Sequence, residues 1–475
     1  MINNEENYLE LMEPASEVTG SFNLCTYVAG DTTIKYVVDC GIYQEKDFQT
    51  KNGEFVVDPK EIDFAILTHN HLDHQGRFAL LVKQGFKGKI YTTNITQRIL
   101  GKALYDNFRV QKNTTRYGEL SYDEEDVVET LNRVVGCDYN QTIEINNFIK
   151  IQFIPNGHLI GAASVLVQIH YTGFNDINIL FSGDYNNKNM FFRVPEPRKW
   201  IRELPLNIVT ESTYGYMDSC EIKRVFRKNI LGALKDGKTI IIPVFSLGRA
   251  QEILYILKEM QSKYNVFANI PIYYDGKLSF AYTDEYHHML SQGILHFYKG
   301  KEIFEPIGLK RVESRELRQL LMNQKNAKII VTTSGMGSYG AAQSYIKEYI
   351  SKPNALIHFT GYCSVDSLGG RLKKAEKGEI VEVGGIRVVK RSDVEFTNEF
   401  SAHAKADEII AFLNKFQNLR GVFVNHGKMD VKDEFADRIV DEVRPIEVGV
   451  LGGKYYYRIY SDSYTESFAM GSDNS

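Results

Sequence analysis

The densest chemistry in this sequence lies at positions 68–74, Thr-His-Asn-His-Leu-Asp-His. His69, His71, Asp73 and His74 put four potential metal ligands within six residues, directly after the strand-like run 62–68. Two imidazoles two residues apart on an extended backbone point the same way. Asp73 and His74 follow as the chain turns toward Gly76. Imidazole and carboxylate without thiolate suit zinc or another borderline divalent ion. The competing reading is a polar strand-to-helix loop, but the chain has only 11 histidines and three of them fall here.

One such cluster cannot fill two metal shells, so partners are expected at other strand ends. His158 stands between glycines in Gly157-His158-Leu159-Ile160-Gly161, ahead of a strand at 164–170. Asp184 follows the strand-like run 177–181, and His426 follows the run 421–424. Each alone reads as a turn or capping residue. Together they repeat one arrangement, a polar ligand at the end of an apolar strand and beside glycine. The positioning elements are legible around them. Residues 78–84 and 123–134 have helical patterns and 149–154 reads as a strand. From about residue 211 the texture becomes regular α/β alternation: helix 223–234, strand 239–245, helix 250–260, strand 272–274, strand 328–333, helix 341–350 and strand 355–360. Such alternation predicts a largely parallel sheet with helices packed on it.

These residues resemble the metallo-β-lactamase superfamily. His69, His71, Asp73, His74, His158, Asp184 and His426 look like its ligand set. Further runs resemble its β-CASP branch of nucleic-acid hydrolases: Ala15-Ser16-Glu17-Val18-Thr19-Gly20-Ser21, Val37-Val38-Asp39-Cys40-Gly41, Glu211-Ser212-Thr213-Tyr214-Gly215, Pro243-Val244-Phe245-Ser246-Leu247-Gly248-Arg249, Thr333-Ser334-Gly335-Met336, Gly361-Tyr362-Cys363 and Phe400-Ser401-Ala402-His403-Ala404. The resemblance runs to about residue 460, in the family's order. It implies an α/β protein, a metallo-β-lactamase αββα sandwich (1–210 and 396–475) with an inserted β-CASP α/β domain (211–395); the stretch 461–475 is polar and aperiodic and is expected to be a frayed tail. It further implies two zinc ions, one on His69, His71 and His158, the other on Asp73, His74 and His426, with Asp184 bridging and Asp39 orienting the site. The catalytic set it implies is Asp73, Glu211 and His403, with His403 as general acid held by Glu211 across the cleft where the domains meet. The implied reaction is hydroxide attack on an RNA phosphodiester, leaving 5′-phosphate and 3′-hydroxyl ends.

His426 stands where the DNA-directed branches of the family typically carry valine, so the resemblance favours RNA as the substrate, expected to be single-stranded. Tyr216-Met217 and Gly427-Lys428 depart from the family's Asp-Arg and Gly-Glu. Gly335-x-Gly337-x-x-Gly340 matches a dinucleotide fingerprint in letters, yet Thr360-Gly361-Tyr362 offer no acidic residue at the end of the next strand. A glycine-lined helix start still suits phosphate, so Arg249, Ser334, Gly335, Gly337 and Arg371 are read as candidate RNA phosphate contacts. The alternatives are a single-stranded DNA nuclease, a small-molecule metallo-hydrolase on the same metal core, and a scaffold that has lost its metal.

A length of 475 residues exceeds a single compact core. No run reaches the ~18–20 apolar residues of a membrane span, and MINNEENYLE has neither the basic nor the apolar region of a secretory signal. Five widely spaced cysteines form no CxxC pair, which suits reduced thiols in the cytoplasm. A homodimer is compatible with this reading. The net charge of −4 divides unevenly: residues 211–395 carry +7 and the remainder −11. Lys310, Arg311, Arg371, Lys373 and Lys374 are among the basic positions of the insert.

Overall fold

The computed structural model describes residues 7–113, 121–222, 224–292, 302–453, 455–462 and 464–469. The chain divides into two compact units. The first comprises Met1–Asn189, Arg193–Cys220 and His403–Ser475, the second Met190–Phe192 and Glu221–Ala402.

Two sheets form the centre of the first unit. In one, the strands run in the order Thr465–Ala469, Tyr455–Tyr460, Asn7–Met12, Asn23–Ala29, Thr32–Val38, Phe64–Ile66, Lys89–Thr93 and Val134–Cys137. In the other the order is Glu447–Val450, Leu419–Val424, Leu206–Thr210, Ile177–Phe181, Ala163–Ile169, Ile149–Pro155 and Thr142–Glu144. Alternation sends one set of side chains inward, where Leu9, Tyr27, Val38 and Ile66 meet Phe153, Val165, Val167 and Ile179 in a common core. The opposite sets face helices. Val37, Ala65 and Leu67 pack on Leu81, Leu100, Leu104 and Val127 from the helices Phe78–Lys83, Asn94–Asn113 and Glu124–Arg133. Leu166, Leu180, Ile208 and Val422 pack on Ile409, Phe435 and Ile439 from Ala406–Leu413 and Met429–Glu442. The result is a helix–sheet–sheet–helix sandwich.

The second unit is built on a wholly parallel sheet in the order Lys310–Arg311, Ile272–Asp275, Ile329–Thr332, Thr239–Pro243, Ala355–Phe359 and Asp393–Phe396. Its central strands are buried throughout, as expected of a parallel sheet covered on both faces.

Two local expectations need correction. The tail from 461 was expected to fray, but Thr465–Ala469 pairs antiparallel with Tyr455–Tyr460, and Arg458 lies over the rings of Tyr8, Tyr456 and Phe468. A short polar strand carries too little hydrophobic pattern to announce itself; its partner supplies the order. Residues 470–475 lie outside the described residues. The helix expected from 223 begins at Phe226 (residue 223 is likewise outside), because Glu399 accepts from the amides of Val225 and Phe226 and caps it there.

Candidate metal centre

The sandwich brings strand ends together. Leu419–Val424, Leu206–Thr210 and Ile177–Phe181 are adjacent and parallel, so their carboxyl ends deliver His426, Glu211 and Asp184 side by side. In the facing sheet, Thr32–Val38 and Phe64–Ile66 are also parallel neighbours, ending at Asp39 and at the 68–74 loop. Asp73 and His74 lie on a single helical turn, Leu72–Gln75. His158 sits between Gly157 and Gly161, both at positive φ. A Cβ on Gly157 would meet the Asn186 carbonyl at 2.0 Å, so the turn that presents His158 needs glycine.

Asp184 is the hub. Its Oδ2 lies 3.4 Å from both His69 Nε2 and His158 Nε2, while its Oδ1 lies 3.2 Å from His74 Nε2 and 3.4 Å from His426 Nε2. His71 Nδ1 faces His158 Nε2 at 3.0 Å, and His74 Nε2 faces His426 Nε2 at 3.0 Å. Asp73 Oδ2 is 3.7 Å from His426 Nε2. Two groups result, His69, His71, His158 with Asp184, and Asp73, His74 with His426; each could hold a metal ion. Within them, His69 Nε2 and Asp184 Oδ1 are buried without a hydrogen-bond partner. A buried polar atom left unmet costs about 1–3 kcal/mol. Orphaned atoms that converge with paired imidazole nitrogens fit a cation better than they fit a hydrogen-bond network.

The rings of His69, His74 and His426 are fixed from behind. Asp39 Oδ2 accepts from His74 Nδ1 at 2.7 Å, and the other oxygen accepts from the Thr68 amide at 2.8 Å. Thr68 Oγ1 lies 3.0 Å from His69 Nδ1, and Thr213 Oγ1 lies 3.0 Å from His426 Nδ1. Engaging Nδ1 leaves Nε2 as the inward atom, the arrangement metal-binding imidazoles adopt. Sequence reading missed both threonines, although Thr68 directly precedes the histidine cluster and Thr213 lies two residues after Glu211.

Electrostatics sort the ligands. Burial, then its imidazole neighbours, push His69 below its ordinary range; burial pushes His71 down to about 3 and His158 well down. Burial opposes charge on His74 and His426 too, but the carboxylates beside them, Asp184 with Asp39 at His74 and Asp184 with Asp73 at His426, together outweigh it and raise both. Asp184 is kept ionised by His426, His74 and His69 against its own burial. The neutral forms favoured at His69, His71 and His158 and the ionised Asp184 are the protonation states that metal binding requires. His74 and His426, favoured in the charged form by the carboxylates beside them, would release a proton to an incoming cation.

Glu211 and His403 both belong to the first unit. Glu211 Oε2 accepts from His403 Nδ1 at 2.8 Å and Oε1 accepts from the Tyr185 amide. His403 Nε2 then stands 3.9 Å from Asp184 Oδ2. The candidate phosphate contacts fare differently. Arg249 is buried; it pairs with Glu252 at 2.8 Å and donates to the Thr360 carbonyl, so its donors serve the second unit's interior. At Gly335 a Cβ would meet Phe245, and at Gly337 Ile346 at 2.5 Å, so packing demands these glycines. Arg371 is exposed and donates to the Asp366 carbonyl at 2.7 Å; Ser334 Oγ is buried without a hydrogen-bond partner.

Known proteins share this architecture. Residues 18–192 match the metallo-beta-lactamase superfamily, 250–372 the Beta-Casp domain, and 387–450 the Zn-dependent metallo-hydrolase RNA specificity domain. The chain belongs to the metallo-β-lactamase superfamily and, within it, to the β-CASP family of metal-dependent hydrolases. It is 30% identical to Ribonuclease TTHA0252 of Thermus thermophilus, over 84% of this chain and 89% of that protein. It is 27% identical to Transcription termination factor FttA of Methanosarcina mazei over 83% of this chain, and 27% identical to Endoribonuclease ysh1 of Schizosaccharomyces pombe over 78%. It spans 63% and 48% of those two longer proteins. A crystal structure of a protein of unknown function from Enterococcus faecalis matches the fold, with a TM-score of 0.54 at 9% identity over 98% of this chain and all of that one.

Proposed function

We propose that this protein is a zinc-dependent ribonuclease that hydrolyses single-stranded RNA at a two-metal centre and leaves 5′-phosphate and 3′-hydroxyl ends. The observation that carries it is Asp184, whose two oxygens face two separate groups of imidazoles. In this reading His69, His71 and His158 would hold one zinc and Asp73, His74 and His426 the other, with Asp184 between the two groups. Such a pair supplies activated water at neutral pH and charge stabilisation on both sides of an in-line phosphoryl displacement.

The remaining chemistry falls to this chain's side chains. Glu211 holds His403 by Nδ1, so Nε2 is the atom that passes a proton to the leaving 3′-oxygen. Glu211 also grips the Tyr185 amide, next to Asp184, which ties the acid's position to that of the bridging carboxylate. Asp39, Thr68 and Thr213 hold the rings of His74, His69 and His426 against rotation. RNA, rather than a small ester, is supported by the match to an RNA specificity domain at 387–450 and by relatives named as ribonucleases. All five cysteines are free, in line with a cytoplasmic setting. Among the described residues no helix is long and apolar enough to cross a membrane.

Purified protein incubated with labelled RNA, single-stranded DNA and a chromogenic ester tests the reading. RNA should be cut, and the new 5′ ends should accept a ligase-dependent adaptor without prior phosphorylation. Intact RNA alongside a hydrolysed ester would overturn it.

A further inference from the structure

Glu13 is fully buried, yet no part of the proposed reaction uses it. Its Oε1 accepts from the Ala15 amide and its Oε2 from the Phe22 amide, both at 2.9 Å. Oε2 also faces Asn425 Nδ2 at 3.4 Å. The same amide nitrogen donates to Asn23 Oδ1 at 2.9 Å, and Asn23 Nδ2 donates to the Val38 carbonyl at 3.3 Å. Asn23 and Asn425 are 4% and 5% exposed, so this is a polar chain sealed within the first unit.

Its ends are informative. Val38 directly precedes Asp39, and Asn425 directly precedes His426. Asp39 (φ 68°) and His426 (φ 48°) both hold the left-handed backbone conformation that side-chain-bearing residues rarely adopt. Such conformations persist only where the surroundings over-determine them. Asp39 holds the His74 ring, and His426 faces that ring from the other side at 3.0 Å.

We propose that Glu13, Asn23 and Asn425 form a positioning unit that sets the half of the metal centre made by Asp73, His74 and His426, by fixing Asp39 and His426 relative to each other. The inference rests on the two-metal reading above and adds residues that touch neither metal nor substrate. Asn425 has two amide protons and both are used, one toward each partner. Gln at position 13 would replace an acceptor oxygen with a donor facing donors. Of the other three ligands, His71 and His158 receive nothing from this network and His69 is reached only through Thr68, so the effect falls mainly on one of the two ions.

The test uses the full chain, stripped of metal and titrated with zinc, in the wild type and in Glu13→Gln and Asn23→Ser. The wild type should take up two equivalents. Both variants should keep the first and bind the second roughly 10–100-fold more weakly, as substitutions behind a ligand typically do. Their RNA cleavage should return as zinc is raised, and the zinc-free variants should still unfold in one cooperative transition, below the wild type because a buried polar network is disturbed. Variants that bind both equivalents as tightly as the wild type would overturn the inference alone. So would loss of fold in both variants, or activity that zinc does not restore, since either marks a merely structural role. A wild type that takes up no zinc would overturn the metal-centre reading and this inference with it.

Discussion

At Asp184 one carboxylate confronts four imidazoles, and its geometry divides them into two sets. That division gives each nearby residue a separable task. His403 should move a proton without holding metal, so His403→Ala should retain the metal content of the wild type and lose cleavage by roughly 10²–10⁴-fold. Measuring bound metal and single-turnover cleavage on the same sample checks both halves; wild-type turnover would remove His403 from the reaction. The ligands on the 68–74 loop were legible in the sequence because they are contiguous and histidine is scarce. The residues that steer them were not. Glu13 and Asn425 lie 412 positions apart, and nothing local in either marks them as partners. Thr68 and Thr213 are ordinary hydroxyls whose value comes from the groups each one faces, His69 and Asp39 for the first and His426 for the second. Arg249 misled in the opposite direction: a basic residue at a helix start suggests phosphate, but Glu252 one turn on and the Thr360 carbonyl engage it internally.

Strand ends do the positioning, and they follow from pattern. Apolar runs such as 177–181 and 206–210 are buried on both faces, pair in parallel, and stop where a polar ligand begins. The parallel sheet of the second unit was readable for the same reason, whereas the strand Thr465–Ala469 has an exposed, polar sequence and depends on its neighbour. The helix Met429–Glu442 carries a different signature. Its Lys432 is buried, donates to the Leu451 carbonyl, and is pushed by burial down to about 8. A lysine whose folded pKa is depressed binds fewer protons in the native than in the unfolded chain between about 8 and 10.5. Stability from this group should therefore be flat below pH 8 and rise as pH climbs toward 10, by at most about 3 kcal/mol. Lys432→Met should remove that rise. Melting temperatures of both proteins at pH 7.5, 9 and 10 check it, and parallel curves would show that Lys432 is not the source.

Across the whole chain the charge is uneven, +7 over residues 211–395 against −11 elsewhere. A near-neutral protein is a poor advertisement for RNA binding, but a long stretch of net positive charge within it is not. Affinity for single-stranded RNA should fall with salt, with a log–log slope of about −0.7 for each phosphate contacted. Replacing Arg371, Lys373 and Lys374 with glutamine should flatten that slope by up to about 2 if all three meet phosphate. Fluorescence anisotropy across a salt series reads it, and an unchanged slope would place the RNA elsewhere. The most direct test of the account is to follow RNA cleavage as metal-free protein is titrated with zinc, with bound metal counted at each point. Cleavage should be absent without metal, rise with the second equivalent and vanish again with chelator. Full activity in the metal-free protein would contradict a catalytic metal centre, and full activity at one equivalent would contradict the two-metal arrangement around Asp184.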